Sequence, residues 1–348
     1  MDFTRDETQV AVAQAANEWL DHASDLAEEE LWKSIAASGL LSLALPERVG
    51  GDGLGVAAVA TLLTELGRRA VQSPALATLG YGVLPLIALG GGDRHDGILA
   101  AVAGGAVLTA ALGEPGSPFT TAPVTTAVLD GDSVLVSGSK VAVPYADRAL
   151  RILTPTDAGI VLISPDAEGV SLVRTPSSTD APEFAVRLDR VRVDRTAVLT
   201  GDVRVLSRLA LASIGAFSDG LLTGATELTS THIGTRHQFG KPLATFQAVA
   251  QEIADIYVTS RTLHVAAASA VWRLEHGLDA DDDLDVVGYW LATEVPAAMQ
   301  VAHHLHGGLG VDASYPMHRY SAAIKDLARI IGGSSYRLEL LGARCTSI

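Results

Sequence analysis

Residues 236–242, with the sequence RHQFGKP, join two long amphipathic segments of this chain, residues 204–235 and 245–276. A third amphipathic segment covers residues 284–306, and apolar residues recur in all three at the helical period. The acidic run at residues 279–285 is predicted to be the connector before the third segment. Three long helices with short connections predict an antiparallel helical bundle.

The N-terminal part of the chain also has helical signals. Thr4 and Glu7 have the spacing of a capping box, which predicts that the first helix starts near Thr4. Gly39 is predicted to end a helix as a C-cap glycine. Residues 56–71 form another helical pattern, so residues 1–104 are predicted to be all-helical. The apolar stripe of that pattern consists of Val59, Leu62, Leu63 and Leu66.

The middle of the chain, residues 105–202, consists of short runs rich in β-branched residues, separated by turn residues. Asp130 and Gly131 lie between two apolar pairs and predict a β-hairpin. In residues 184–199 apolar and charged residues alternate, so the arginines there are predicted to face water. The chain is therefore predicted to have an α+β fold. Its predicted domains are residues 1–104, 105–202 and 203–348.

The charge balance restricts the classes of partner. The chain has 25 basic and 40 acidic residues and a formal net charge of -15, which would repel nucleic acid and an anionic membrane surface. An anionic ligand would need a local basic cluster. The single cysteine, Cys345, the acidic N-terminus and the lack of about 18 consecutive apolar residues predict a soluble, cytoplasmic protein.

The basic loop at residues 236–242 has the groups that bind a pyrophosphate. Arg236 offers a planar fork of donors, Gly240 lets the backbone approach a ligand closely, and the next helix begins with free N–H groups. The alternative is a helix hairpin with a solvated basic turn.

A histidine-rich segment precedes two glycines at Gly307 and Gly308. His303, His304 and His306 lack the i, i+4 spacing of two metal ligands on one helical face, so no metal site is predicted. The glycines predict close approach of the backbone to a flat or phosphorylated ligand, with an ordinary helix C-cap as the alternative. The glycine-rich residues 50–55 lack the G-x-G-x-x-G order and predict a loop that enters a helix.

Three segments resemble the signature segments of acyl-CoA dehydrogenases: RHQFGKPLATFQAVAQEIAD at residues 236–255, HLHGGLGVDASYPMHRYSAAIKD at residues 304–326, and residues 31–68. The resemblance covers essentially the whole chain. It implies an N-terminal α-helical domain, a middle β domain and a C-terminal four-helix-bundle domain. It also implies a tetramer in which each FAD spans two subunits, a glutamate removes the α-proton of an acyl-CoA thioester, and the β-hydride moves to the flavin.

The resemblance also implies which residues bind the cofactor. His304 replaces the family's usual glutamine. The residues that would hold the pyrophosphate and adenine half of a neighbouring subunit's FAD are Arg236, Gln238, Phe239, Phe246 and Gln247, with His304, Leu305, Gly307 and Gly308.

The catalytic half of the family's pattern is missing. Gly332 occupies the position of the usual glutamate, and Ala210 occupies the alternative position for a base. Neither residue can accept a proton. Residues 142–144, Ala-Val-Pro, replace the family's W-I-T triplet at the flavin, and residues 112–118 lack the threonine that would hydrogen-bond the flavin ring.

This combination resembles the actinobacterial α2β2 acyl-CoA dehydrogenases that act on steroid-CoA side chains. Residues 303–320, 324–333 and 336–343 closely resemble the short, glutamate-lacking subunit of such a pair. The resemblance implies a glutamate-bearing partner subunit, whose site would hold the acyl-CoA, here a 3-oxo-steroid-20-carboxyl-CoA. Two alternatives remain. One is a self-sufficient homotetrameric dehydrogenase with Glu227, Asp219 or Asp326 as a displaced base, and the other is a non-enzymatic scaffold or acyl-CoA-binding relative.

Overall fold

The structure is a computed structural model that describes residues 3–23, 26–90 and 92–345. Backbone packing separates the chain into two compact units. One contains residues 1–5, 63–71 and 214–348, and the other contains residues 6–62 and 72–213. The helices and strands confirm the predicted α+β fold class, whereas the three domain boundaries stay a prediction.

Helices follow one another from residue 7 to residue 103, as predicted. The apolar stripe of the third helix is almost completely buried. That helix starts at Val56, directly after the glycine-rich residues 50–55, which confirms that they form a loop. Gly39 has a φ of 83° just beyond the end of the second helix, as a C-cap glycine requires. The helices are α1 (Glu7–Ala23), α2 (Glu28–Ala37), α3 (Val56–Arg68), α4 (Leu84–Leu89) and α5 (Asp96–Ala103).

The start of α1 differs from the prediction. The helix begins at Glu7, and Asp6 Oδ1 accepts a hydrogen bond from the Gln9 backbone N–H at 2.8 Å. Gln9 Oε1 in turn accepts from the Asp6 N–H at 3.0 Å. The capping box therefore joins residues 6 and 9, and the predicted box between Thr4 and Glu7 is wrong. Asp6 and Gln9 have the same three-residue spacing and offer the same two acceptors to the orphan N–H groups.

The middle of the chain forms two four-stranded sheets, with strand orders β1-β4-β5-β8 and β2-β3-β7-β6. The predicted hairpin is present between β2 and β3. Asp130 pairs with Ser133, so Gly131 and Asp132 form the turn and Gly131 adopts a φ of 64°. The arginines of β7 are exposed, as predicted. The strands are β1 (Val107–Ala110), β2 (Thr126–Asp130), β3 (Ser133–Pro144), β4 (Ala149–Thr156), β5 (Gly159–Ile163), β6 (Val170–Arg174), β7 (Glu183–Asp194) and β8 (Val198–Leu199).

A buried ion pair connects the loop after β1 to strand β3. Lys140 Nζ lies 2.7 Å from Glu114 Oε1, and their side chains are 0% and 1% exposed. Glu114 also accepts hydrogen bonds from the Thr125 hydroxyl and from the backbone N–H groups of Val124 and Thr125. Burial alone would raise the pKa of Glu114, but these donors and Lys140 outweigh it and lower the pKa to about 2. The loop is thus tied to the sheet by a fully satisfied carboxylate.

The C-terminal part is helical, and its three longest helices match the predicted segments within a few residues. The acidic connector predicted at residues 279–285 is wrong from Asp281 onward, because the helix there starts at Asp281. Its three leading aspartates stabilise the positive N-terminal end of that helix instead. The helices are α6 (Val203–Thr235), α7 (Gln247–Glu275), α8 (Asp281–His306), α9 (Met317–Ile330) and α10 (Gly333–Cys345).

Among the described residues, α6 is the one helix that is long and apolar enough to cross a membrane by length and composition. Most of its apolar surface is covered, however, since 83% of its most apolar window is buried inside the protein. Such burial is typical of a core helix, so the finding is weak evidence for a membrane span.

Candidate functional site

A pocket of about 670 Å³ lies where the end of α6, the start of α7 and the end of α8 meet. All of its lining residues belong to the unit that contains residues 214–348. The lining residues are His232, Arg236, Gln238, Leu243, Ala248, Val249, Glu252, His304, Leu305, His306, Gly307, Gly308 and Leu309.

The end of α6 supplies a basic group to the pocket. Arg236 follows the last residue of the helix, and its backbone N–H donates to the His232 carbonyl at 2.8 Å. The Arg236 side chain is exposed, and within the described ranges it makes no hydrogen bond or ion pair. The guanidinium is therefore available to an anionic ligand.

The loop after Arg236 is a short hairpin with an exposed aromatic tip. Strands β9 (His237–Gln238) and β10 (Lys241–Pro242) pair antiparallel around Phe239 and Gly240, whose φ angles are 52° and 80°. Positive φ at both turn residues is typical of a type I′ turn, in which a phenylalanine is strained. Phe239 is 92% exposed, and its ring meets Phe246 edge-on at 6.2 Å between centroids. Lys241 Nζ lies 4.3 Å from the centre of the Phe246 ring.

The start of α7 supplies the opposite charge and free backbone donors. Ala248, Val249 and Glu252 line the pocket because they share one face of the helix. Glu252 is half-buried, and its carboxylate has no hydrogen-bond or ion-pair partner in the part of the chain that the structure describes. The helix begins after Phe246 without a side-chain cap, so its first N–H groups remain available to a ligand.

The end of α8 forms the third wall. His306 is buried, its Nδ1 lies 2.8 Å from the Ala302 carbonyl, and its ring stacks on His232 with centroids 4.6 Å apart. Burial lowers the pKa of both histidines, which favours uncharged, flat rings at neutral pH. Gly307 has a φ of 55°, and a Cβ at Gly307 or Gly308 would meet no atom within 4 Å. The backbone therefore borders open space there, and the predicted unusual dihedral is found at Gly307.

The structure brings six of the nine predicted cofactor residues into this pocket: Arg236, Gln238, His304, Leu305, Gly307 and Gly308. Phe239, Phe246 and Gln247 do not line it and lie on the adjoining hairpin and helix start. The pocket is also lined by His232, Glu252 and His306, which were not among the predicted cofactor residues. The spacing of His232 four residues before Arg236, on the same helical face, could have indicated the first of these.

The two positions expected for a catalytic base have no carboxylate. Gly332 follows α9 with a φ of 102°, and Gly333 has a φ of 73°. The preceding carbonyl, Ile331 O, accepts a hydrogen bond from Arg337 Nε at 2.8 Å. Ala210 is fully buried in α6. The φ angle at Gly332 is therefore one that non-glycine residues rarely adopt.

Each of the three alternative carboxylates has a basic side chain as a partner, although Asp219 Oδ1 is buried without a hydrogen-bond partner. Glu227 forms a two-point ion pair with Arg68, at 2.9 Å to Nε and 2.5 Å to Nη2. Asp219 Oδ2 lies 2.9 Å from His264 Nδ1, and Asp326 lies 3.6 Å from Arg329. None of the three lines the pocket.

Replacing Gly332 by glutamate is expected to destabilise the protein. The positive φ would force a side chain into a strained conformation, so we expect the free energy of unfolding to fall by about 1 to 3 kcal/mol. Urea unfolding followed by circular dichroism measures this. Ser334→Glu is the matched control, because Ser334 is exposed and lies in α10. Equal stability of the two variants would contradict the strain at residue 332.

The segments that replace the family's flavin-facing elements lie in the other unit. Val143 is fully buried, and Ala142 has a φ of 54° at an irregularity in the pairing of β3 with β7. The Val141 N–H donates to the Gly113 carbonyl at 3.0 Å. The loop after β1 is therefore pinned to β3 next to residues 142–144. Among the residues that the structure describes, no group of three or more His, Cys, Asp or Glu is placed to hold a metal ion.

Two family models match the chain. Residues 2–106 match the acyl-CoA dehydrogenase N-terminal domain, and residues 207–344 match the acyl-CoA dehydrogenase C-terminal domain. The chain is 47% identical to the acyl-CoA dehydrogenase FadE28 of Mycobacterium tuberculosis, over 99% of each chain.

Solved structures agree with this match over the full length. The Tcur3481-Tcur3483 steroid ACAD, solved as a variant, has a chain with 32% identity and a TM-score of 0.88, which covers 98% of this chain and 97% of that one. The ChsE4-ChsE5 complex of Mycobacterium tuberculosis has a chain with 28% identity and a TM-score of 0.91, with complete coverage of both chains.

Proposed function

The chain belongs to the acyl-CoA dehydrogenase family. We propose that it is the subunit without a catalytic base in a heteromeric enzyme. Acyl-CoA dehydrogenases are FAD-dependent oxidoreductases that act on CH–CH groups. In our proposal this chain completes the FAD site of a glutamate-bearing partner, within an α2β2 heterotetramer. The partner's site holds the acyl-CoA and dehydrogenates it between the α and β carbons.

The proposal rests on one observation above all: Arg236 lines a pocket without a protein partner for its charge among the described residues. The uncapped start of α7 and the open backbone at Gly307 and Gly308 border the same pocket. A guanidinium fork, free N–H groups and accessible glycine backbone together suit a pyrophosphate. The residues present therefore fit the phosphate and adenine half of FAD.

The residues outside the pocket have a role in the same proposal. Phe239, at 92% exposure, and Phe246 next to it would contact the part of the bound group that extends beyond the pocket. An aromatic side chain held exposed in a strained turn suits contact with a ligand or partner better than it suits packing. The flavin supplies the hydride acceptor when FAD is bound. This chain's own residues bind and orient the adenine end.

The missing base supports the assignment of proton abstraction to the partner. Removal of an α-proton needs an acceptor within hydrogen-bond reach of the substrate. Gly332 and Ala210 offer none, and Glu227, Asp219 and Asp326 are held by basic side chains. We therefore assign the catalytic glutamate to the partner subunit.

The relatives support a heteromeric, steroid-directed enzyme. Two of the similar structures are complexes of two differently named chains, and one of them is a steroid ACAD. We extend this to a steroid side-chain CoA thioester as substrate and to a cytoplasmic location. The relatives and the resemblance of residues 303–320, 324–333 and 336–343 support this substrate class. The pocket supports only the assignment of the cofactor.

Co-expression with a glutamate-bearing acyl-CoA dehydrogenase subunit tests the proposal. We expect the chain alone to contain little flavin, and the co-purified complex to contain one FAD for each pair of subunits and to be active. Absorbance of the released flavin against protein concentration measures the ratio. A fully flavinylated homotetramer with turnover would favour the self-sufficient enzyme. A complex without any flavin would favour the scaffold.

A further inference from the structure

The pocket contains two side chains of opposite charge that do not form an ion pair. Arg236 and Glu252 both line it, yet no nitrogen of the first lies within 4.0 Å of an oxygen of the second. Neither side chain has another hydrogen-bond or ion-pair partner in the described ranges. A half-buried carboxylate without a donor is unfavourable, because it gives up part of its hydration without replacement. A ligand with an anion at one end and donors at the other would satisfy both groups.

The two charges are arranged along α7. Its uncapped N-terminus at Gln247 is the positive end of the helix, and Glu252 lies five residues further on. At 1.5 Å per residue this is a separation of about 8 Å along the helix. A nucleoside of a dinucleotide cofactor has comparable dimensions, with its phosphate at one end and its hydroxyls further along.

The pocket lining also includes aromatic and apolar groups. The stacked rings of His232 and His306 form one side, and Val249 lies on another. Burial lowers the pKa of both histidines, which favours their uncharged form at neutral pH. A purine base could lie against such a surface.

We propose that Glu252 determines which adenine nucleotide this pocket accepts. Its carboxylate accepts hydrogen bonds from the free hydroxyls of an unphosphorylated ribose and repels a ribose that carries a phosphate. An ionised carboxylate can only accept hydrogen bonds. In other dinucleotide sites, an acidic residue that accepts hydrogen bonds from the ribose hydroxyls disfavours a phosphorylated ribose.

This inference rests on the proposed function, because it assigns a selectivity to the same pocket. An acyl-CoA dehydrogenase binds two molecules that contain an adenine nucleotide. FAD has an unmodified ribose, whereas coenzyme A has a 3′-phosphate on its ribose. A carboxylate at Glu252 would keep the second out of a pocket whose arginine attracts both.

The test compares ADP with 3′-phospho-ADP, which differ only in the ribose phosphate. Both are titrated by calorimetry into the flavin-depleted complex of this chain with its partner. We expect ADP to bind about tenfold more tightly than 3′-phospho-ADP, as a charge-assisted hydrogen bond would produce. Glu252→Gln should abolish that preference, because the amide keeps the volume and removes the charge. Glu339→Gln, at an exposed glutamate of α10, is the matched control and should keep it.

The outcomes separate the inference from the function on which it rests. If Glu252→Gln keeps the preference for ADP while Arg236→Ala weakens both nucleotides, the selectivity of Glu252 is refuted and the proposed cofactor pocket stands. If neither nucleotide binds, or if Arg236→Ala changes nothing, both are refuted.

Discussion

Replacing Arg236 by alanine is expected to remove most of the flavin from the complex of this chain with its glutamate-bearing partner. A charge-assisted hydrogen bond contributes about 1.5 to 3 kcal/mol, so FAD should bind about tenfold to a hundredfold more weakly. The Arg236 side chain is exposed and makes no contact with another described side chain by hydrogen bond or ion pair, so the fold should be unaffected. Flavin content after gel filtration and the FAD dissociation constant are the measurements.

Two further variants make this result specific. Arg236→Lys keeps the charge but loses the planar fork, so it should restore only part of the affinity. Arg187→Ala removes an exposed arginine of β7 that does not line the pocket, and it should leave the flavin content unchanged. If Arg236→Ala retains full flavin content, the pocket does not hold a pyrophosphate and the scaffold alternative gains support.

Replacing Glu114 by glutamine is expected to give the largest loss of stability. The substitution leaves the Lys140 ammonium with 0% exposure and no carboxylate. Breaking a buried pair in this way lowers the free energy of unfolding by about 3 to 5 kcal/mol. Urea unfolding of the purified protein measures the loss. Asp180→Asn is the control, because it breaks the exposed pair with Arg174 and should change stability by less than about 1 kcal/mol.

A double variant and a pH series test the physical cause. Glu114→Gln combined with Lys140→Met should recover part of the loss, because no unpaired charge stays buried. The folded state holds the pKa of Glu114 at about 2, below its ordinary value of 4.5. Its contribution is therefore complete above about pH 4.5 and is lost as the pH falls towards about 2. An unchanged acid dependence in Glu114→Gln would contradict this account.

Much of the fold follows from local patterns in the sequence. The apolar period of α6, α7 and α8 and the turn signal between β2 and β3 place these elements within a few residues. Two predicted elements were wrong because neighbouring residues carry competing signals. Asp6 and Gln9 form the capping box instead of Thr4 and Glu7, and the aspartates from residue 281 start a helix instead of a connector.

The amino-acid sequence alone was enough to predict the fold class and the family. It also indicated Arg236 as a candidate cofactor residue and showed that Gly332 and Ala210 have no carboxylate. The packing of the helices was needed to show that Glu252 and the His232–His306 stack border the same pocket as Arg236. Helical periodicity states which residues share a face of one helix. It does not state which helix ends converge, because that depends on packing between segments that are far apart in the chain.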